Sequence, residues 1–265
     1  MVKKIKDMLC RFYILFIFLF LYAPIFVLIG ASFNDSKSRV IWGGFTLQWY
    51  VKVFESRQIM EALGTTLVIS FAAALLSTVI GVASAIGIQA MRSRSYKAVM
   101  AVNSIPMVNA DIVTGIALML WFIKFMPLGF MSVLLAHITF DIPYVILSVM
   151  PKLQQMNVSV YEAARDLGAG GIYAFFKVML PQLTGGIISG FFMAFTISMD
   201  DFVVTYFTKG AGVNTLSTLI YGELKKGIRP EMYALSTLIF AIVFVIMLIV
   251  NIRSRGDEEK FSVNV

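Results

Sequence analysis

Apolar residues run almost unbroken through six stretches of the chain, roughly 12–33, 63–91, 98–122, 128–150, 183–207 and 233–252, and polar residues gather between them. A helix crosses the hydrocarbon core of a bilayer with about 20 apolar residues, so each stretch predicts a membrane span. The second is long enough to tilt or to extend past the bilayer. The first follows Lys3, Lys4 and Lys6 as a signal peptide would. Its apolar run exceeds the roughly 7–15 residues of such a leader and no small-x-small cleavage site is evident, so it reads as an uncleaved span. No linker, composition shift or internal repeat divides residues 1–265. The pattern predicts one all-α transmembrane domain.

Composition agrees, with 59% hydrophobic and 14% charged residues, where a soluble domain carries roughly 25% charge. The formal charge of +7 could suggest a nucleic-acid partner. The basic residues instead sit at the ends of apolar runs, where they orient helices in the bilayer. Six spans put both termini on one side. With the termini in the cytoplasm, 13 of the 22 Lys and Arg lie inside, including the tight turn Arg92–Lys97. Cys10 is the sole cysteine, which excludes a disulfide framework and a Cys-based metal site. No cluster with metal-ligand spacing appears, and the 16 methionines read as packing.

Between the fourth and fifth stretches lies EAARDLGAGGIYAFFKVMLP, Glu162 to Pro181. Glu162 to Leu167 holds good helix formers and no breaker. Gly168 ends that helix, because glycine takes the left-handed C′ conformation without a Cβ penalty. A second helix starts near Gly170 or Gly171 and carries Ile172, Phe175, Phe176 and Met179 on one apolar stripe. Pro181 closes it. Two short helices of this kind do not bury themselves. They would lie at the membrane surface and offer the first helix to something in the cytoplasm. On composition alone, a solvated or re-entrant loop fits as well.

Spacing separates these readings. Glu162-Ala163-Ala164, three residues, Gly168, nine residues, Val178, one residue, then Leu180-Pro181 resembles the signature loop of ABC importer permeases. Gly170 departs from that pattern, where a small polar helix starter is usual, although glycine also serves as an N-cap. The resemblance implies a type I importer permease fold with six transmembrane helices. The loop, about 151–181, would be a cytoplasmic coupling helix docked in a cleft of an ATP-hydrolysing subunit. It implies that Glu162 pairs with a basic partner residue, that Ala163 and Ala164 permit close approach, and that Gly168 sets the bend. Asp166, Leu180 and Pro181 belong to the same coupling element. The implied partners are a homologous second permease, two copies of a cytoplasmic ATPase and an extracellular substrate-binding protein, in a bacterial inner membrane. The chain contains no Gly-Lys dipeptide and therefore no Walker A loop. ATP and Mg would be bound by the partner ATPase; this chain would be a transport subunit, without a cofactor or catalytic residues of its own.

Five further stretches, Trp42–Tyr50, Asp111–Leu118, His137–Val145, Ser198–Gly210 and Leu219–Leu238, are similar to the second permease of spermidine/putrescine transporters. The acids give this a physical basis. An acid inside a span costs about 2.5–3.5 kcal/mol by insertion scales. Asp111, Asp141, Asp200 and Asp201 lie at or near membrane depth, with no Lys or Arg deep in a span to pair with them. Unpaired acids facing a cavity suit a polycation. Each has a structural alternative. Asp111 could cap a broken helix near Pro106 and Asn109. Asp141 sits near Pro143 and is assigned no role. Asp200 and Asp201 diverge by about 100° on a helix, so one should face the path while the other supports it. Trp42, Trp49 and Tyr50 fit an interfacial aromatic belt or cation–π contact with an incoming ammonium group. His137 reads as a helix–helix hydrogen bond. The predicted substrate path comprises Asp111, Asp200, Asp201, Trp49, Tyr50 and Glu223. Rival readings are an ion-coupled secondary transporter or channel, and the same machine carrying another small solute.

Overall fold

The computed structural model describes residues 2–36 and 41–245. Helices dominate, and among the described residues extended pairing is limited to an isolated bridge between Asn34 and Phe45. The helices are α1 (Val2–Ser32), α2 (Gln48–Glu55), α3 (Arg57–Gln89), α4 (Ser93–Val108), α5 (Asp111–Phe122), α6 (Phe130–Gln155), α7 (Val158–Asp166), α8 (Gly171–Asp200), α9 (Val203–Thr208), α10 (Leu216–Lys226) and α11 (Pro230–Val245). Four of them, α1, α3, α6 and α8, are long and apolar enough to cross a membrane. The end of the predicted sixth span lies outside the described residues. The chain forms two compact units, one from its two ends, up to Met60 and from Gly222, the other from Glu61 to Tyr221.

The core of the second unit is a seam between α3, α6 and α8. Ala74, Val82, Ala85, Val145, Val149, Leu153, Leu183 and Ala194 are buried together there. Val145 is fully buried with a glycine on either side. A Cβ on Gly81 of α3 would lie 2.7 Å from Val145 Cβ, and one on Gly190 of α8 would lie 3.3 Å from Val145 Cγ1. One turn earlier, a Cβ on Gly186 would meet the Ser148 carbonyl at 3.1 Å. Small residues four apart let helix backbones approach closely where lipid supplies no hydrophobic drive between helices.

Two predicted spans are not continuous helices. The third breaks at Asn109 and Ala110, both extended, and its halves α4 and α5 meet at 103°. Pro106 removes a hydrogen bond and crowds the preceding turn, and Asp111 then sits favourably at the positive end of the new helix. The fifth breaks after Asp200. Asp201 turns extended, with ψ 128°, and α9 starts at Val203.

The same chain region corrects the reading of Pro181. It does not close a short helix, because α8 runs from Gly171 through it to Asp200. Residues Phe175–Met179 form a π turn in which Leu180 N–H donates to the Phe175 carbonyl. A proline cannot donate to the carbonyl four residues back and presses on it. The widened turn just before Pro181 accommodates both effects.

Preceding this helix, α7 is capped by Asn157, whose side chain accepts from Ser159 N–H at 3.0 Å. It ends at Gly168, φ +89°. Gly168 N–H donates to the Arg165 carbonyl and Ala169 N–H to the Ala164 carbonyl, both at 3.0 Å. That pair of bonds is a Schellman motif, which requires the left-handed residue that glycine supplies. Glu162, Ala163, Arg165 and Asp166 are exposed on α7, and Leu167 is 90% exposed at its end.

Candidate functional site: an acidic cavity at two helix breaks

The two breaks open onto one cavity of about 420 Å³, lined by Asp111, Phe140, Tyr144, Thr196, Ile197, Asp200, Asp201, Phe202 and Val203. Three of the predicted path acids therefore come together. Asp111 is exposed in the first turn of α5, and Asp200 is exposed as the last residue of α8. Neither has an ion pair or hydrogen bond among the described residues. Aromatic rings complete the wall: Phe140 packs on Tyr144 with centroids 5.6 Å apart, and Phe202 on Tyr221 at 4.3 Å.

Asp201 is built differently. Its side chain is only 9% exposed. One carboxylate oxygen accepts from Val204 N–H at 3.2 Å. The other accepts from Thr205 N–H at 2.8 Å and from the Thr205 hydroxyl at 2.9 Å. These bonds satisfy donors at the start of α9 that have no helical partner. The Asp201 backbone carbonyl accepts from the Ser217 hydroxyl at 2.8 Å.

Behind this wall, His137 of α6 lies 2.5 Å from Ser198 Oγ through Nδ1 and 2.8 Å from Thr205 Oγ1 through Nε2. It bridges α8 and α9, as a helix–helix hydrogen bond should. Asp141, one turn further along α6, is fully buried, and neither carboxylate oxygen has a hydrogen-bond partner. The wall residues Phe140, Tyr144 and Phe202 went unnoticed in the sequence. A signal was available: His137, Asp141 and Tyr144 fall at i, i+4 and i+7, one polar stripe in the middle of α6.

Trp49, Tyr50 and Glu223 belong to the other unit. Trp49 is 2% exposed, and its indole N–H donates to the Asn34 carbonyl at 2.7 Å. Lys52 Nζ lies 4.4 Å from the Trp49 ring centroid. This corrects the expectation of an outer-loop ring open to an ammonium group: its N–H and a face are already engaged within the chain. The Tyr50 hydroxyl shares a 2.7 Å hydrogen bond with Ser32. Glu223 is buried and accepts from Arg229 Nε at 2.6 Å beside a second cavity, about 440 Å³, lined with Gln58 and Gly227. An internal cation therefore already occupies that carboxylate.

Residues 77–255, which include every wall residue of the acidic cavity and the whole α7–α8 segment, match the family described as binding-protein-dependent transport system inner membrane component. The chain belongs to this family. The putrescine transport system permease protein PotI of Escherichia coli (strain K12) is 35% identical over 252 residues, 92% of this chain and 90% of that protein. The spermidine/putrescine transport system permease protein PotC of Haemophilus influenzae is 33% identical over 243 residues, 91% and 95% of the two chains. In fold, the chain resembles a bacterial ABC transporter involved in the import of the acidic polysaccharide alginate, with a TM-score of 0.70, 19% identity, and coverage of 96% and 97%. As an inner membrane component of this family, the protein is a multi-pass transport subunit, all-α, with four candidate spans among the described residues, or five if α4 and α5 form one bent span.

Proposed function

We propose that this permease is one half of the translocation path of an ATP-driven polyamine importer, and that the cavity at the two helix breaks receives the ammonium groups. The observation that carries this is the pairing of Asp111 and Asp200, two carboxylates open to one cavity without an internal cation among the described residues. A carboxylate in such a place is costly unless a counter-ion comes to it. A polyamine brings at least two positive charges on an apolar chain, and the rings of Phe140, Tyr144 and Phe202 suit both parts. The names of the relatives above, permeases for putrescine and spermidine, support the same cargo.

In this reading the protein has six spans, both termini in the cytoplasm, with α4 and α5 as one bent span and α11 belonging to the sixth. A homologous permease supplies the other half of the path and an extracellular binding protein delivers the cargo. Two copies of an ATPase bind ATP and Mg and dock on α7. Glu162 and Asp166 meet the ATPase, Ala163 and Ala164 allow its approach, and Gly168, Leu180 and Pro181 transmit its closure to α8.

Uptake of radiolabelled spermidine and putrescine by cells producing the whole transporter tests the proposal. Uptake should require ATP and be blocked by excess unlabelled polyamine but not by a neutral sugar. Competition by the sugar and none by polyamine refutes the cargo. Uptake driven by an ion gradient without ATP refutes the mechanism.

A further inference from the structure

We infer that His137 is a positioning residue that holds the acidic wall of the cavity in register across the break between α8 and α9. The inference deepens the proposed function and rests on it for the identity of the cargo, though not for the geometry. His137 is 3% exposed. Its two ring nitrogens bind on opposite sides of the break, Nδ1 to Ser198 near the end of α8 and Nε2 to Thr205 inside α9.

With a neutral imidazole, the protons in this chain of bonds have one consistent arrangement. The Thr205 hydroxyl donates its single proton to Asp201 Oδ2 at 2.9 Å, so it accepts from Nε2–H at 2.8 Å. Nδ1 then accepts from the Ser198 hydroxyl at 2.5 Å. Ser198, His137, Thr205 and Asp201 thus form one directed relay ending on a carboxylate of the cavity wall. His137 Nε2 also lies 3.5 Å from the same carboxylate oxygen. Asp141 does not duplicate the role, since neither of its oxygens makes a hydrogen bond.

What the imidazole fixes is the angle between Asp200 and Asp201. Asp200 ends α8, and Asp201 and Phe202 link it to α9: Asp201 N–H bonds back to the Ile197 carbonyl of α8, and the Phe202 carbonyl accepts from Tyr206 N–H of α9. A flat ring with an acceptor on one edge and a donor on the other sets the spacing of Ser198 and Thr205. An apolar ring of similar size would fill the space but leave two buried hydroxyls without that partner, which loosens the break.

The test uses two variants and a readout independent of cargo. Thr196 lines the cavity, so Thr196→Cys in a Cys10→Ser background reports on it. Methanethiosulfonate reagents of equal size, one cationic and one neutral, measure the local preference for positive charge. His137→Phe, which removes both buried hydrogen bonds of the ring, should reduce that preference by about tenfold or more. His137→Gln, which keeps an N–H that can reach Thr205, should restore most of it. In the whole transporter, His137→Phe should raise the KM for spermidine by a similar factor at equal membrane abundance. An unchanged reagent preference in His137→Phe overturns the inference. So does an uptake defect confined to the amount of assembled transporter, with KM unaltered. If wild-type cells take up no polyamine, the cargo assignment fails while the reagent ratio still decides the role of His137.

Discussion

Adjacent aspartates in one wall should fail in opposite ways. Asp201 carries three hydrogen bonds from the start of α9 on a side chain that is 9% exposed. Hydrogen bonds to a charged group contribute roughly 1.5–3 kcal/mol each but overlap strongly when they share an acceptor, and a helix cap alone is worth roughly 0.5–2 kcal/mol. Asp201→Ala should therefore destabilise the second unit by about 2–4 kcal/mol. Asp201→Asn keeps one carbonyl acceptor and should lose about half as much. Asp200 is exposed and makes none of these bonds, so Asp200→Asn should cost no stability and, by removing a negative charge at the carbonyl end of α8, should raise it slightly. Transport should show the reverse sensitivity. With assembly intact, loss of one carboxylate–ammonium contact in a confined cavity should lower uptake about tenfold or more. Thermal unfolding of the purified transporter gives the first quantity, and spermidine uptake normalised to membrane abundance gives the second. On the usual scale for a chain of this size, Asp201→Ala should shift melting by on the order of 5 °C or more. If Asp200→Asn melts as early as Asp201→Ala, or if Asp201→Ala melts like the unmodified protein, the division of roles is wrong.

Two further outcomes are expected. Glu162→Lys reverses a charge on the exposed face of α7, so it should leave the chain inserted and folded but cut substrate-stimulated ATP hydrolysis and uptake together; normal stimulation in that variant removes Glu162 from coupling. Gly81→Ala forces a Cβ to 2.7 Å from Val145 and should destabilise by about 1–3 kcal/mol through overpacking; equal melting of Gly81→Ala and the unmodified protein would show that the α3–α6 seam is not close-packed.

Four of the spans, now α1, α3, α6 and α8, were legible because length and hydropathy alone decide them. The stop at Gly168 was legible too, since the left-handed turn is a local requirement of one residue type. The breaks were legible only where they left a local mark. Pro106, Asn109 and Asp111 announce the first. Nothing adjacent announces the second, because what stabilises it comes from far along the chain: His137 reaches Ser198 and Thr205 from 61 and 68 residues away. Pro181 misled for a related reason. Proline is punctuation only if the turn before it keeps i→i−4 bonding, and here the π turn does not. Trp49 misled because the polar, glycine-containing stretch around it reads as exposed, whereas Asn34 folds back to accept its indole N–H.

The break also gives a stronger reason for the unequal acids than helical divergence does. Helix periodicity sets neighbours about 100° apart, but here the helix ends between them. Asp201 turns to the positive end of α9 and is neutralised in part by its N–H groups. Asp111 lies at the positive end of α5, which favours a carboxylate there. Asp200 lies at the carbonyl end of α8, where a negative side chain is disfavoured and the helix adds to its potential rather than offsetting it. The deepest negative point of the wall is therefore Asp200, and the cation should be held there most firmly. Asp111→Asn should consequently lower spermidine uptake by a smaller factor than Asp200→Asn in the same assay. A larger loss at Asp111 would mean that contact geometry, not the ends of the helices, ranks the acids.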